Sequence, residues 1–200
     1  MRQLKKCLLL GLLLLIQVAR ADDEFPTLTE REAAPTFALM HEKGVAFLKK
    51  AVGPQRAGRI LLSIKEMGFD YKVVAGCVGS FDKPGATQVA LGLARDDSPS
   101  YLYVAFRDDA KPETLVEQTL HYGDRANLAT RLGVDCMSWT SIERGNFNPQ
   151  RLKGDPVPVE RRSYLDGACV DQLVSDRGKM CYLFDKKKGE FVAGGGWAWD

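Results

Sequence analysis

The hydrophobic repeat changes period once along this chain, and that change limits the folds open to it. Before Gly68, apolar residues recur every three or four positions. Phe37, Met40, Gly44, Phe47, Leu48 and Ala51 form one stripe; Ala57, Ile60, Leu61, Ile64 and Met67 form a second. Such spacing gathers each set on one side of an α-helix. Pro35 can open the first helix, Gly53-Pro54 separates the two, and Gly68 ends the second. After Gly68 the repeat falls to two. Phe69, Tyr71, Val73, Ala75 and Cys77 alternate with Asp70, Lys72 and Val74, as in a half-buried strand.

Strands continue from there. Residues 87–94 carry Val89, Leu91 and Leu93 on one face, and residues 100–106 return after the Arg95-Asp96-Asp97-Ser98-Pro99 turn, giving a hairpin. Asp108-Asp109 and Pro112 mark a helix start, but Leu115, Val116, Thr119 and Leu120 fit a helix or a strand. Leu128 and Leu132 before Gly133 predict a helical turn, and residues 134–142 a strand carrying Cys136. Residues 145–158 are rich in Asn, Pro and Gly and read as a loop. Short strands are predicted at 159–165, 168–174, 179–184 and 191–193. Turns separate them at Asp166-Gly167, Asp176-Arg177-Gly178 and Lys186-Lys187-Lys188-Gly189. Helices first and mostly antiparallel strands afterwards predict an α+β domain, a helical hairpin followed by a sheet. The 200 residues suit one such domain.

The first 21 residues read as an export signal. Arg2, Lys5 and Lys6 precede an apolar run over residues 8–16, and Ala19-Arg20-Ala21 offers small residues at a cleavage site. The run is shorter than the roughly 20 apolar residues a membrane span needs. On cleavage the 28 Lys+Arg lose Arg2, Lys5, Lys6 and Arg20 while the 26 Asp+Glu stay, so the balance moves from +2 to −2. Residues 22–200 then form a single exported domain that does not span the membrane, most simply periplasmic in a Gram-negative bacterium. Cys7 leaves with the signal, and Cys77, Cys136, Cys169 and Cys181 remain. An even number of cysteines in an oxidising compartment reads as two disulfides. Of the three pairings, Cys77–Cys136 with Cys169–Cys181 is favoured, because the latter two sit on adjacent segments joined by a short turn.

The stretch Ala75-Gly76-Cys77-Val78-Gly79-Ser80-Phe81-Asp82-Lys83-Pro84-Gly85-Ala86-Thr87-Gln88-Val89-Ala90-Leu91 resembles a degenerate FG-GAP-type repeat. The resemblance covers residues 75–91 and implies a strand, a Gly-x-Phe turn, a polar loop and a second strand. It does not carry over the family's calcium loop. Asp82 stands there without the alternating acids, and Lys83-Pro84 occupies the place of oxygen ligands.

Sequence motifs exclude several chemistries. The two histidines, His41 and His121, lie in no His-Glu-x-x-His pattern, so a zincin is excluded. There is no Gly-x-Ser-x-Gly elbow, Walker loop or dinucleotide fingerprint. The charge balance lacks the strongly basic footprint of a dedicated nucleic-acid binder. No catalytic residue, metal ligand or cofactor is assigned. The residues left for recognition are Asp96-Asp97 and Asp108-Asp109, which bracket the third strand, and Trp197 and Trp199 near the C terminus. Acidic pairs can steer a basic partner, and Trp is common at interface anchors. By general plan the chain is similar to small periplasmic inhibitor and immunity proteins. That likeness implies a non-enzymatic protein-binding protein that neutralises a toxic effector enzyme by steric occlusion. Two alternatives stand beside it: a cell-wall or glycan-binding module using Trp197 and Trp199, and a hydrolase with an unrecognised site that sets His121 against a Ser or an acid.

Overall fold

The structure, a computed structural model, describes residues 37–108, 111–119, 132–138, 165–171 and 178–198. The two predicted helices are present as α1 (Phe37–Val52) and α2 (Pro54–Glu66). Met40, Gly44, Phe47 and Leu48 are the buried face of α1, and Ala57, Ile60 and Ile64 that of α2. Lys49 and Lys50 in the last turn of α1 suit the negative end of its dipole. Gly53 joins the helices with φ 80°, a conformation that a residue with a Cβ adopts only at a cost. Pro54 then opens α2, where its missing N–H is not needed.

Two four-stranded antiparallel sheets follow. The first is a meander of β1 (Lys72–Gly79), β2 (Gln88–Ala94), β3 (Ser100–Phe106) and β4 (Glu113–Thr119). The second is a meander of β5 (Val134–Ser138), β6 (Asp166–Asp171), β7 (Gly178–Asp185) and β8 (Glu190–Ala198). The α+β class therefore holds, with two sheets where a single sheet was expected.

The layers explain the burial. On one face of the first sheet, Val73, Val89, Leu91, Leu93, Leu102, Val104 and Phe106 pack with Phe47, Leu48, Ile60 and Ile64 of the helices. On its other face Ala75, Cys77, Ala90, Tyr101, Tyr103 and Ala105 pack with Val134, Ala168, Val170 and Phe184 of the second sheet. The first sheet is thus the middle layer, which is why every residue of β2 is buried. Each large apolar side chain so placed contributes about 1.5–3 kcal/mol relative to exposure.

Both expected disulfides form. Cys77–Cys136 ties β1 to β5 and so clamps the two sheets, 59 residues apart in sequence. Cys169–Cys181 joins cross-strand partners of β6 and β7, 12 residues apart. In the chain-entropy account the longer loop gives the larger stabilisation, about 4 against about 3 kcal/mol.

Some expected boundaries change. The first strand begins at Lys72, not Phe69, and runs on to Gly79; Phe69 is left half exposed. The ambiguous segment after Pro112 is the strand β4, paired with β3. Asp166-Gly167 is not a turn but the start of β6. Gly167 does not have a positive φ, and Asp166 is stitched to Ser80, the first residue after β1 of the other sheet. That long-range contact overrides the local turn preference. The last strand extends through Gly194-Gly195-Gly196 to Ala198. The export signal, the helical turn around Leu128, the loop at 145–158, the end of the Cys136 strand beyond Ser138, most of the strand at 159–165 and the turn at Asp176-Arg177 lie outside the described residues.

Close helix-to-sheet approach makes one prediction. A Cβ on Gly44 would lie 2.8 Å from both the carbonyl oxygen and Cγ1 of Val73, whereas a Cβ on Gly58 meets nothing within 4 Å. Gly44→Ala should cost about 1–3 kcal/mol by overpacking. Gly58→Ala, on an exposed helical position, should add about 0.4–1 kcal/mol. Urea unfolding of the two variants reads both; equal effects would contradict the packing of α1 on β1.

Candidate functional site

Strand directions bring one set of connections to the same end of the molecule: the β1–β2 loop (residues 80–87), the chain leaving β3, the start of β6 and the β7–β8 turn (residues 186–189). The β1–β2 loop is held from several sides. Ser80 Oγ donates to the carbonyl of Ala86 at 2.8 Å. The Ser80 N–H donates to Asp166 Oδ2 at 2.8 Å, and the Asp166 N–H donates to the Ser80 carbonyl at 3.0 Å. Gly85 turns the loop with φ 73°. Phe81 is fully buried between the sheets, edge-on to Phe191 at 5.5 Å.

Gln88, 1% exposed at the start of β2, ties the loop down. Its Oε1 accepts from the N–H groups of Phe81 at 2.7 Å and Asp82 at 3.2 Å. Its Nε2 donates to Asp82 Oδ1 at 2.6 Å and to the Arg107 carbonyl at 3.1 Å. The amide thereby uses both donors and both acceptor sites. Asp82 Oδ2 accepts from Arg107 Nη1 at 3.0 Å, and Arg107 Nε donates to Glu113 Oε1 at 2.6 Å. The guanidinium also stands 3.7 Å from the ring centre of Phe184. Burial works to lower the Arg107 pKa, but hydrogen bonding and charge from Glu113 and Asp82 outweigh it and raise it. Both oxygens of Asp82 are committed within the protein.

Beside this network is an open concavity of about 420 Å³. Arg56, Lys83, Thr87, Gln88, Arg107 and Asp108 line it, and Arg56 Nη1 donates to the Thr87 carbonyl. The neighbouring β7–β8 turn exposes Lys186, Lys187 and Lys188. Buried Asp185 caps that turn by accepting from the N–H groups of Lys187 at 2.8 Å and Lys188 at 3.3 Å.

The chain matches no family model, no curated protein and no solved structure. The site must therefore be read from its own residues.

The structure separates the residues singled out from the sequence. Asp96 and Asp97 lie in the β2–β3 turn, at the far end of β3 from Asp108. With about 3.4 Å per residue the intervening strand holds them roughly 20 Å apart. Asp97 takes a two-pronged contact from Arg95, 2.8 Å on each side, and this hydrogen bonding lowers its pKa. Arg95 in turn lies 4.0 Å over the Phe69 ring. Asp108 belongs to the concavity, among cationic neighbours. Trp197 stands on β8 opposite Lys179. Asp109, His121 and Trp199 lie outside the described residues. Gln88, Arg56 and Arg107 were not singled out at all, and Asp82 was noted only as the lone acid of the loop in the FG-GAP-type resemblance.

Two further polar groups lie elsewhere. Lys179 Nζ bonds Asp135 and lies 3.3 Å from Asp171 Oδ1; burial raises the Asp171 pKa despite Lys179. The Tyr103 hydroxyl is buried without a hydrogen-bond partner among the described residues, and burial drives its pKa up. Among the described residues no group of three or more His, Cys, Asp or Glu is arranged to hold a metal ion, and no helix is long and apolar enough to cross a membrane.

His41 serves the fold. Its Nδ1 accepts from the Val73 N–H at 3.0 Å, so the ring is neutral with its proton on Nε2. Burial, followed by the charge of Lys72, lowers its pKa below 6.5. A group whose folded pKa is lowered towards the neutral form gives its full stabilisation above the unfolded value and loses it as pH falls. We predict that His41 titrates below 6.5 by NMR, and that stability falls from about pH 6.5 downwards more steeply in the wild type than in His41→Gln. A midpoint at or above 6.5 would contradict the contact.

Proposed function

We propose that this is an exported, periplasmic protein-binding protein of the inhibitor or immunity type. It neutralises an antibacterial effector enzyme by seating its loop end over that enzyme's active cleft. The observation that carries this reading is the fixing of the β1–β2 loop by the saturated Gln88 amide and the buried Phe81. A loop ordered before encounter does not lose its conformational freedom on binding, and that saving appears as affinity. The two disulfides fit an oxidising compartment and hold the sheets that carry the loops. Gln88, Asp82, Arg107 and Glu113 are engaged with one another, which suits a fixed support for a binding surface.

Affinity capture tests the reading. The oxidised mature protein is immobilised and exposed to exported and secreted proteins of its own bacterium and of competing bacteria. One enzyme should be retained, and its activity should fall to background as the two proteins reach equal concentration. Retention of nothing, or of an enzyme that keeps full activity in the complex, would contradict the proposal.

A further inference from the structure

The charges of the loop end are unevenly exposed. At the loop end Lys83, Lys111, Lys186, Lys187 and Lys188 are exposed, and Arg56 and Arg107 line the concavity beside them. The carboxylates of the same end are largely turned inward. Asp82 and Glu113 hold Arg107, Asp166 holds Ser80, and Asp185 caps the lysine turn. Exposed carboxylates among the described residues here are those of Asp108 and Glu190. Counted whole, the described residues of this end hold seven cations (Arg56, Lys83, Arg107, Lys111, Lys186, Lys187, Lys188) and six carboxylates (Asp82, Asp108, Glu113, Asp166, Asp185, Glu190), but the exposed charges are five lysines against two carboxylates.

We propose that this end recognises an acidic segment of a partner protein, with the carboxylates of that segment meeting the exposed lysines of the turn and Lys83 at the rim of the concavity. The inference rests on the protein-binding reading above and assigns its surface and the chemistry of its partner. The three exposed lysines of the turn, with exposed Glu190 beside them, favour an acidic surface at short range. A volume of about 420 Å³ accommodates a side chain and its neighbours. Asp108 argues against a dense polyanion: a sulfated glycan or phosphate chain would press like charge onto it, whereas a peptide can space its carboxylates around it. This assignment reverses the partner charge suggested by the acidic pairs in the sequence.

The test uses the oxidised mature protein and a fluorescein-labelled peptide of alternating Glu and Ser, with a heparin fragment of similar length as the second probe. The control carries Asp96→Lys and Asp97→Lys at the opposite end. The test variant carries Lys83→Glu with Lys186→Glu, Lys187→Glu and Lys188→Glu, all exposed positions outside the core. The proposal expects the peptide to bind with a Kd that rises with salt, and the test variant to weaken it at least about tenfold. The control should bind within about twofold of wild type or slightly tighter. No peptide binding, equal binding by the test variant, or tighter binding of heparin than of the peptide would overturn it; the last would assign a sulfated-glycan surface instead. The capture experiment separates the two levels. An enzyme retained equally by wild type and test variant overturns this surface and leaves the protein-binding reading standing. Retention by neither form overturns both.

Discussion

One buried side chain amide organises the loop end of this molecule. Gln88 is nearly inaccessible, and its four hydrogen bonds reach two backbone N–H groups, a carboxylate and a carbonyl. Replacing it with an apolar residue would leave the two buried N–H groups without that partner, at about 1–3 kcal/mol for each. The positions of Phe81, Asp82 and Arg107 all depend on this amide. Phe81 in turn closes the gap between the sheets, and Arg107 forms one wall of the concavity. A loop that would otherwise fluctuate is made a fixed part of the surface.

That amide can act only because the layers around it are fixed. β2 lies at the centre of the molecule, covered by helices on one side and by the second sheet on the other. Gly44 lets α1 settle onto β1 at the distance of backbone contact. Cys77–Cys136 and the Ser80–Asp166 pair cross between the sheets close to the loop. Local hydrogen bonding, the inter-sheet core and the covalent clamp thus converge on the same few residues. Such agreement between levels is what favours a single well-defined conformation.

Much of this architecture was legible in the sequence, and the reasons are physical. Both helices were visible because their apolar residues repeat at helical spacing and glycine or proline stops each one. The β2–β3 hairpin was visible because Asp, Ser and Pro interrupt two alternating runs. The disulfides followed from four cysteines, two of them on segments close enough to be neighbours. β4 was ambiguous because Leu115, Val116 and Thr119 satisfy either period; its pairing with β3 decides it. Asp166-Gly167 misled because turn chemistry is local and the contact to Ser80 spans 86 residues. The site was nearly illegible. Gln88 and Arg107 look like ordinary polar residues at strand ends. They meet because the antiparallel register sets Val89 against Phe106. Nor could charge pairs in the sequence reveal which acids the fold would consume. Asp82 and Glu113 hold an arginine, whereas the lysines of residues 186–188 remain outside.

The central claim is that the β1–β2 loop is ordered in the free protein. Amide hydrogen exchange at Phe81 and Asp82 tests it most directly, because among the described residues those two N–H groups bond to the Gln88 side chain. The account predicts that both exchange as slowly as the strand amides of β2, and that Gln88→Leu frees them while the β2–β3 ladder stays protected. Exchange of Phe81 and Asp82 in the wild type at the rate of an unstructured peptide would contradict it.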